Sequence, residues 1–95
     1  MNAVYKYPLP LPGQTEDTFT VDIPAGAQLL TVQLQRGEPV LWALVDPEDR
    51  PTPYTLRIAG TGHPLDASAH YHHYLGTVQM AGGALVFHYF QVVPF

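Results

Sequence analysis

The chain contains no cysteine. That excludes a disulfide framework, a thiolate nucleophile and a cysteine-ligated zinc finger. Basic residues are scarce. Lys6, Arg36, Arg50 and Arg57 stand against eight carboxylates, for a formal charge of −4. A nucleic-acid binder needs a basic stripe to neutralise phosphates, and an anionic membrane surface asks for the same. Neither partner is expected. No apolar run approaches the roughly 18–20 residues that span a bilayer. Residues Met1 to Pro8 lack the basic segment and apolar stretch of a signal peptide, so no secretory signal is expected. A cytosolic setting, or a virion assembled in a cytosol, fits these absences. Long helical windows are missing too. Ten prolines and eight glycines in 95 residues break every window longer than about a dozen residues, which excludes a helical bundle.

What remains is a β sequence. An apolar fraction of 46% is too high for a disordered tail. Ninety-five residues make a single domain, residues 1–95, which buries roughly 60–68% of its unfolded surface. Residues 1–17 form an extended, proline-rich N-terminal arm with a short strand near residues 3–7. Its Pro8-Leu9-Pro10-Leu11-Pro12 segment favours polyproline II. It serves either as a stiff lead-in with Leu9 and Leu11 buried or as a ligand for an aromatic groove.

Residues 18–23 alternate, with Phe19, Val21 and Ile23 on one side, as a half-buried strand requires. Residues 28–36 alternate again, with Leu30, Val32 and Leu34 inward. Arg36-Gly37-Glu38 makes a tight reversal. Residues 40–45 are apolar on both faces, which marks a central strand or one covered by a partner. A proline-punctuated loop follows. Residues 54–59 then turn Tyr54, Leu56 and Ile58 inward and Arg57 outward. Residues 64–70 are the one place for a short helical turn. Residues 71–80 and 84–93 form two strands joined by Ala81-Gly82-Gly83. The fold class is all-β: a small β-sandwich or partly open barrel of six to seven mainly antiparallel strands.

Two hairpins echo one another. Thr31-Val32-Gln33-Leu34 matches Thr77-Val78-Gln79-Met80, and in the same frame Gly37 meets Gly83 and Val40 meets Val86. A duplicated hairpin about a pseudo-two-fold axis and simple convergence both account for this.

The chain is rich in histidine, with five. In His70-Tyr71-His72-His73, a strand would place His70 and His72 on one face. Such a pair chelates a metal only with a third ligand. The cupin pattern supplies a Glu a few residues later, and residues 74–79 hold no carboxylate. His70, His72 and His88 are the candidate metal set. The competing reading is a solvated polar stretch. His63 lies in Gly60-Thr61-Gly62-His63-Pro64, where the glycines let the backbone approach another group closely. With Arg57 as a ligand-facing partner, Gly60, Thr61, Gly62 and His63 are the candidate ligand-binding residues. The competing reading is a plain turn. No nucleophile elbow surrounds Ser68, and the carboxylates read as turn residues, so catalysis is not expected. No cofactor is expected either.

Across nearly its whole length the chain resembles a family of short, uncharacterised proteins encoded by tailed phages and prophages. The residues that carry the resemblance are Tyr5-Lys6-Tyr7-Pro8-Leu9, Pro24-Ala25-Gly26-Ala27, Val32-Gln33-Leu34-Gln35 and Leu41-Trp42-Ala43-Leu44-Val45-Asp46. The others are Gly60-Thr61-Gly62-His63-Pro64, Tyr74-Leu75-Gly76-Thr77-Val78-Gln79 and Gly82-Gly83-Ala84-Leu85-Val86-Phe87-His88. The His70–His73 cluster departs from it. The resemblance implies a phage accessory product acting in the host bacterial cytoplasm or built into a virion.

Three functions follow as expectations. The first is a non-enzymatic binding protein that sequesters or blocks a host protein or a small signalling ligand. It would close as a homodimer or higher homo-oligomer, because its doubly apolar strands exceed what one small sandwich covers. Trp42, Phe87, Tyr89 and Phe90 are its expected interface anchors. The second is a virion decoration or tail accessory protein. The third is a cupin-like, metal-dependent enzyme.

Overall fold

The computed structural model describes residues 1–65 and 72–93. It holds seven strands: β1 (Ala3–Pro8), β2 (Thr18–Pro24), β3 (Gln28–Gln35), β4 (Glu38–Val45), β5 (Pro51–Gly60), β6 (His72–Met80) and β7 (Leu85–Val92). No α-helix lies among the described residues, and none of their helices is long and apolar enough to cross a membrane. The strands form two sheets, both antiparallel. Sheet A has the order β1-β4-β3 and sheet B the order β2-β5-β7-β6. The architecture is a β-sandwich, not a closed barrel. The helical turn expected over 64–70 lies mostly outside the described residues.

Alternation decides which side chains fill the space between the sheets. Sheet A contributes Val32, Leu41, Ala43 and Val45, and sheet B contributes Ile23, Leu56, Ile58, Val78 and Tyr89. Leu9 is also buried, and its N–H donates to the Pro39 carbonyl at 3.0 Å. The proline-rich segment is therefore a lead-in held against the body. Leu11 is only half-buried. Strand β4 lies at the centre of sheet A, which is why it is apolar on both faces. Its outer face carries Val40, Trp42 and Leu44.

One expectation about β3 fails. Leu30 is 42% exposed, and Leu29 packs on the core instead. The pairing with β4 shifts register between Leu29 and Thr31, so Leu30 is the extra residue of a β-bulge. A bulge reverses the inside–outside phase of the strand before it.

The edge strands β3 and β6 meet and hold the two sheets together along one side. Thr31 Oγ1 donates to the Leu75 carbonyl at 2.9 Å across this seam. Strand β6 bulges here too, between Tyr74 and Gly76. A Cβ on Gly76 would strike the Val32 carbonyl oxygen, and the backbone there has φ +151°. The two echoing hairpins, β3–β4 and β6–β7, both begin at the seam. Strands β4 and β7 come next, and β1 and β5 third. That is the placement a pseudo-two-fold axis through the seam requires.

Candidate ligand-binding site

The Gly60–His63 turn lies where β5 ends. Its geometry starts from a missing side chain. A Cβ on Gly60 would come within 2.7 Å of His63 Nδ1, so glycine lets the imidazole approach the backbone closely here, and a larger residue would displace it. The His63 N–H donates to the Gly60 carbonyl at 3.0 Å, and the Thr61 N–H donates to the Val86 carbonyl at 3.1 Å. These two bonds fasten the turn to itself and to β7.

A cavity of about 240 Å3 opens beside this turn, between it and the 12–17 segment. Ile58 and Phe87 give it an apolar floor, and Thr15, Asp17 and His63 a polar rim. The Ile58 N–H donates to the Asp17 carbonyl at 2.8 Å, which ties the 12–17 segment to the edge of β5. An apolar floor with a few convergent polar groups is the usual build of a small-ligand pocket.

The other side of sheet B carries a second constellation. Directly opposed residues in antiparallel strands share a face. The pairings therefore place Thr18, Arg57, Phe90 and Tyr74 in one row across all four strands, on the outer face. Ala59, His88 and Thr77 form the adjacent row. A hydrogen-bonded chain runs through it. Thr61 Oγ1 is 2.7 Å from His88 Nε2, Thr77 Oγ1 is 2.9 Å from His88 Nδ1, and the Tyr74 hydroxyl is 2.6 Å from Thr77 Oγ1. The Tyr74 and Phe90 rings pack at 5.8 Å, tilted by 60°.

The residues expected from the sequence divide between these two places. Gly60 and His63 line the cavity, and Thr61 joins the His88 chain. Gly62 sits in the turn with φ +84° and open space around it. Arg57 and His63 do not form a pair. Arg57 points to the outer face, whereas His63 packs on Gly60, which faces inward with Ile58.

Two expected interface anchors are corrected. Tyr89 is 0% exposed, and Phe87 packs against the core. Alternation along β7 turns residues 87 and 89 inward and 88 and 90 outward, so only Trp42 and Phe90 face away from the core.

Of the candidate metal set, His70 and the side chain of His72 lie outside the described residues. The His72 backbone pairs with Val92, four residues along β7 from His88. Both ring nitrogens of His88 are engaged by threonine hydroxyls. No metal-holding group of His, Asp or Glu occurs among the described residues. Sequence reasoning missed Thr77 and Tyr74. They stand 16 and 13 positions from Thr61, and only the β6–β7 register brings them to His88.

The His88 chain resembles a nucleophile–base pair without, among the described residues, the third element. A triad places a carboxylate behind the imidazole to compensate the charge it acquires. Here that position is taken by the neutral Thr77 hydroxyl.

No curated protein and no solved structure matches the chain. A family model does, over residues 1–94. The chain belongs to that family, DUF7352, a domain of unknown function.

Proposed function

We propose that this chain is a non-enzymatic binding protein, an accessory product of a tailed phage or prophage, which sequesters or blocks a component of the host cytoplasm. The observation that carries this reading is the cavity at the Gly60–His63 turn. Three separate stretches of chain build it: the 12–17 segment, the end of β5 with its turn, and β7. At about 240 Å3 it lies below the roughly 300–1,000 Å3 of drug-sized ligand sites. It suits a small metabolite or a single side chain of a host protein. The Asp17 rim and the net charge of −4 favour a basic group on that partner. The phage setting rests on the sequence resemblance.

The same reading expects closure on a second copy through the outer face of sheet A. There, Val4 is opposite Leu44, and the exposed Leu30 of the bulge lies beside Trp42.

Affinity capture from host lysate, analysed for both proteins and small molecules, tests the cavity. In Gly60→Val the new side chain displaces His63 and fills the space. The species held by the wild-type chain is expected to be lost from this variant while its β-sheet spectrum is retained. Equal recovery from both chains would exclude the cavity as the binding site.

A further inference from the structure

Sheet B carries one lysine or arginine among its strands, Arg57. Arg57 makes no ion pair among the described residues, and its Nε is buried without a hydrogen-bond partner. Buried donors are almost always satisfied, so an orphan of this kind asks for an explanation. The one carboxylate in the strands of this sheet, Asp22, does not supply it. Asp22 is opposite Pro53, four residues along β5 from Arg57, or about 13 Å.

What surrounds Arg57 is a set of hydrogen-bond donors and apolar rings. Thr18 is directly opposite it on β2, and Thr20 and Thr55 face each other in the next row. On the other side Phe90 is directly opposite, with Tyr74 packed against it. The hydroxyls of Thr18, Thr20 and Thr55 have no side-chain hydrogen bond among the described residues, unlike those of Thr61 and Thr77. An arginine fork with free hydroxyls beside it matches the oxygens of a phosphate or a carboxylate. The exposed Tyr74 ring gives an apolar surface for a flat group attached to that anion.

We infer that the outer face of sheet B is a seat for a small-molecule oxyanion, with Arg57 as the charge that holds it and Thr18, Thr20 and Thr55 as donors around it. The occupant is a phosphate ester or a carboxylate carrying an apolar or aromatic group. The seat lies on the opposite face of sheet B from the His63 cavity, so each stands or falls independently of the other.

The orphaned Nε–H is itself the reporter. In 15N-labelled protein, its side-chain resonance is followed while phenyl phosphate, benzoate or phenol is added. Phenyl phosphate is expected to shift it saturably at millimolar concentration, and phenol, which has the ring without the anion, is not. A response to benzoate as well means a general oxyanion seat, and a response to phenyl phosphate alone means a phosphate seat. Both support the site. Backbone shifts at Thr18 and Phe90 should follow the same curve and weaken roughly tenfold or more in Arg57→Gln. No saturable change with either anion, a shift with phenol equal to theirs, or undiminished binding by Arg57→Gln would overturn the inference.

Discussion

Tyr89→Phe is expected to stabilise this protein. Tyr89 is fully buried between the sheets, opposite Ile58 on β5 and Gly76 on β6, and its hydroxyl has no hydrogen-bond partner among the described residues. An unsatisfied buried polar group costs about 1–3 kcal/mol. Phenylalanine keeps the ring and removes that cost, less a small loss of packing where the oxygen was. A net gain of about 1 kcal/mol follows, which corresponds to roughly 4–8 °C in Tm for a domain of this size. Alkaline pH gives a second readout. Burial pushes the Tyr89 hydroxyl up to about 12 from its ordinary value of 10.0. Between these values the unfolded chain releases this proton and the native chain keeps it. The unfolded state then binds fewer protons, so wild-type stability falls as pH rises above 10. This one group contributes about 1.4 kcal/mol per pH unit. The variant lacks that contribution. Urea unfolding of both chains at pH 7 and pH 11 measures both effects. Tyr54→Phe is the control. The Tyr54 hydroxyl donates to the Pro24 carbonyl at 3.2 Å and accepts from the Ala27 N–H at 2.9 Å, so its loss should cost about 1 kcal/mol. If Tyr89→Phe loses stability like Tyr54→Phe, and its alkaline fall matches the wild type, the Tyr89 hydroxyl is satisfied after all.

Gly76→Ala should destabilise the chain by about 3 kcal/mol or more in the same assay, since the new methyl strikes the Val32 carbonyl at a φ that L-residues rarely adopt. A loss below about 1 kcal/mol would mean that the β3–β6 seam is loose. Light scattering should find the wild type as a dimer or larger and Leu30→Glu as a monomer with stability unchanged within about 0.5 kcal/mol. A wild-type monomer would refute closure through sheet A.

Much of the fold was legible because strand alternation is a local property. Phe19, Val21 and Ile23 share a face wherever β2 lies, but the proline-punctuated loop expected before residue 54 gives way to strand at Pro51, because Pro51 and Pro53 pair with Pro24 and Asp22 of β2. The Leu30 error shows where this stops. Nothing in Leu29-Leu30-Thr31 marks a bulge. It arises where β3 bends to meet β6, 40-odd residues later. The site was legible only in pieces. The glycines around Thr61 pointed to a turn that lets the backbone approach another group, and the structure shows that group to be His63, but the pairing of His63 with Arg57 assumed that both faced the same way.

The sequence by itself determined the class of structure: six to seven short, mainly antiparallel strands, and which side chains of β2 and β5 turn inward. It did so because breakers and period-two patterns act over a few residues. Only the tertiary structure decided which distant residues meet. The chain from Tyr74 through Thr77 and His88 to Thr61 exists because β6 and β7 pair in one register and the turn after β5 is bonded to Val86. Among the described residues Arg57 makes no ion pair because of the row it occupies, and Tyr89 is inside because alternation along β7 turns it, like Ile58 opposite, toward the core. The apolar surplus that suggested an interface on β7 is largely the interior of one sandwich. The surplus that remains outside is shared by sheet A, with Val4, Tyr5 and Leu30, and sheet B, with Tyr74 and Leu85, a division that pairing and packing set and composition does not contain.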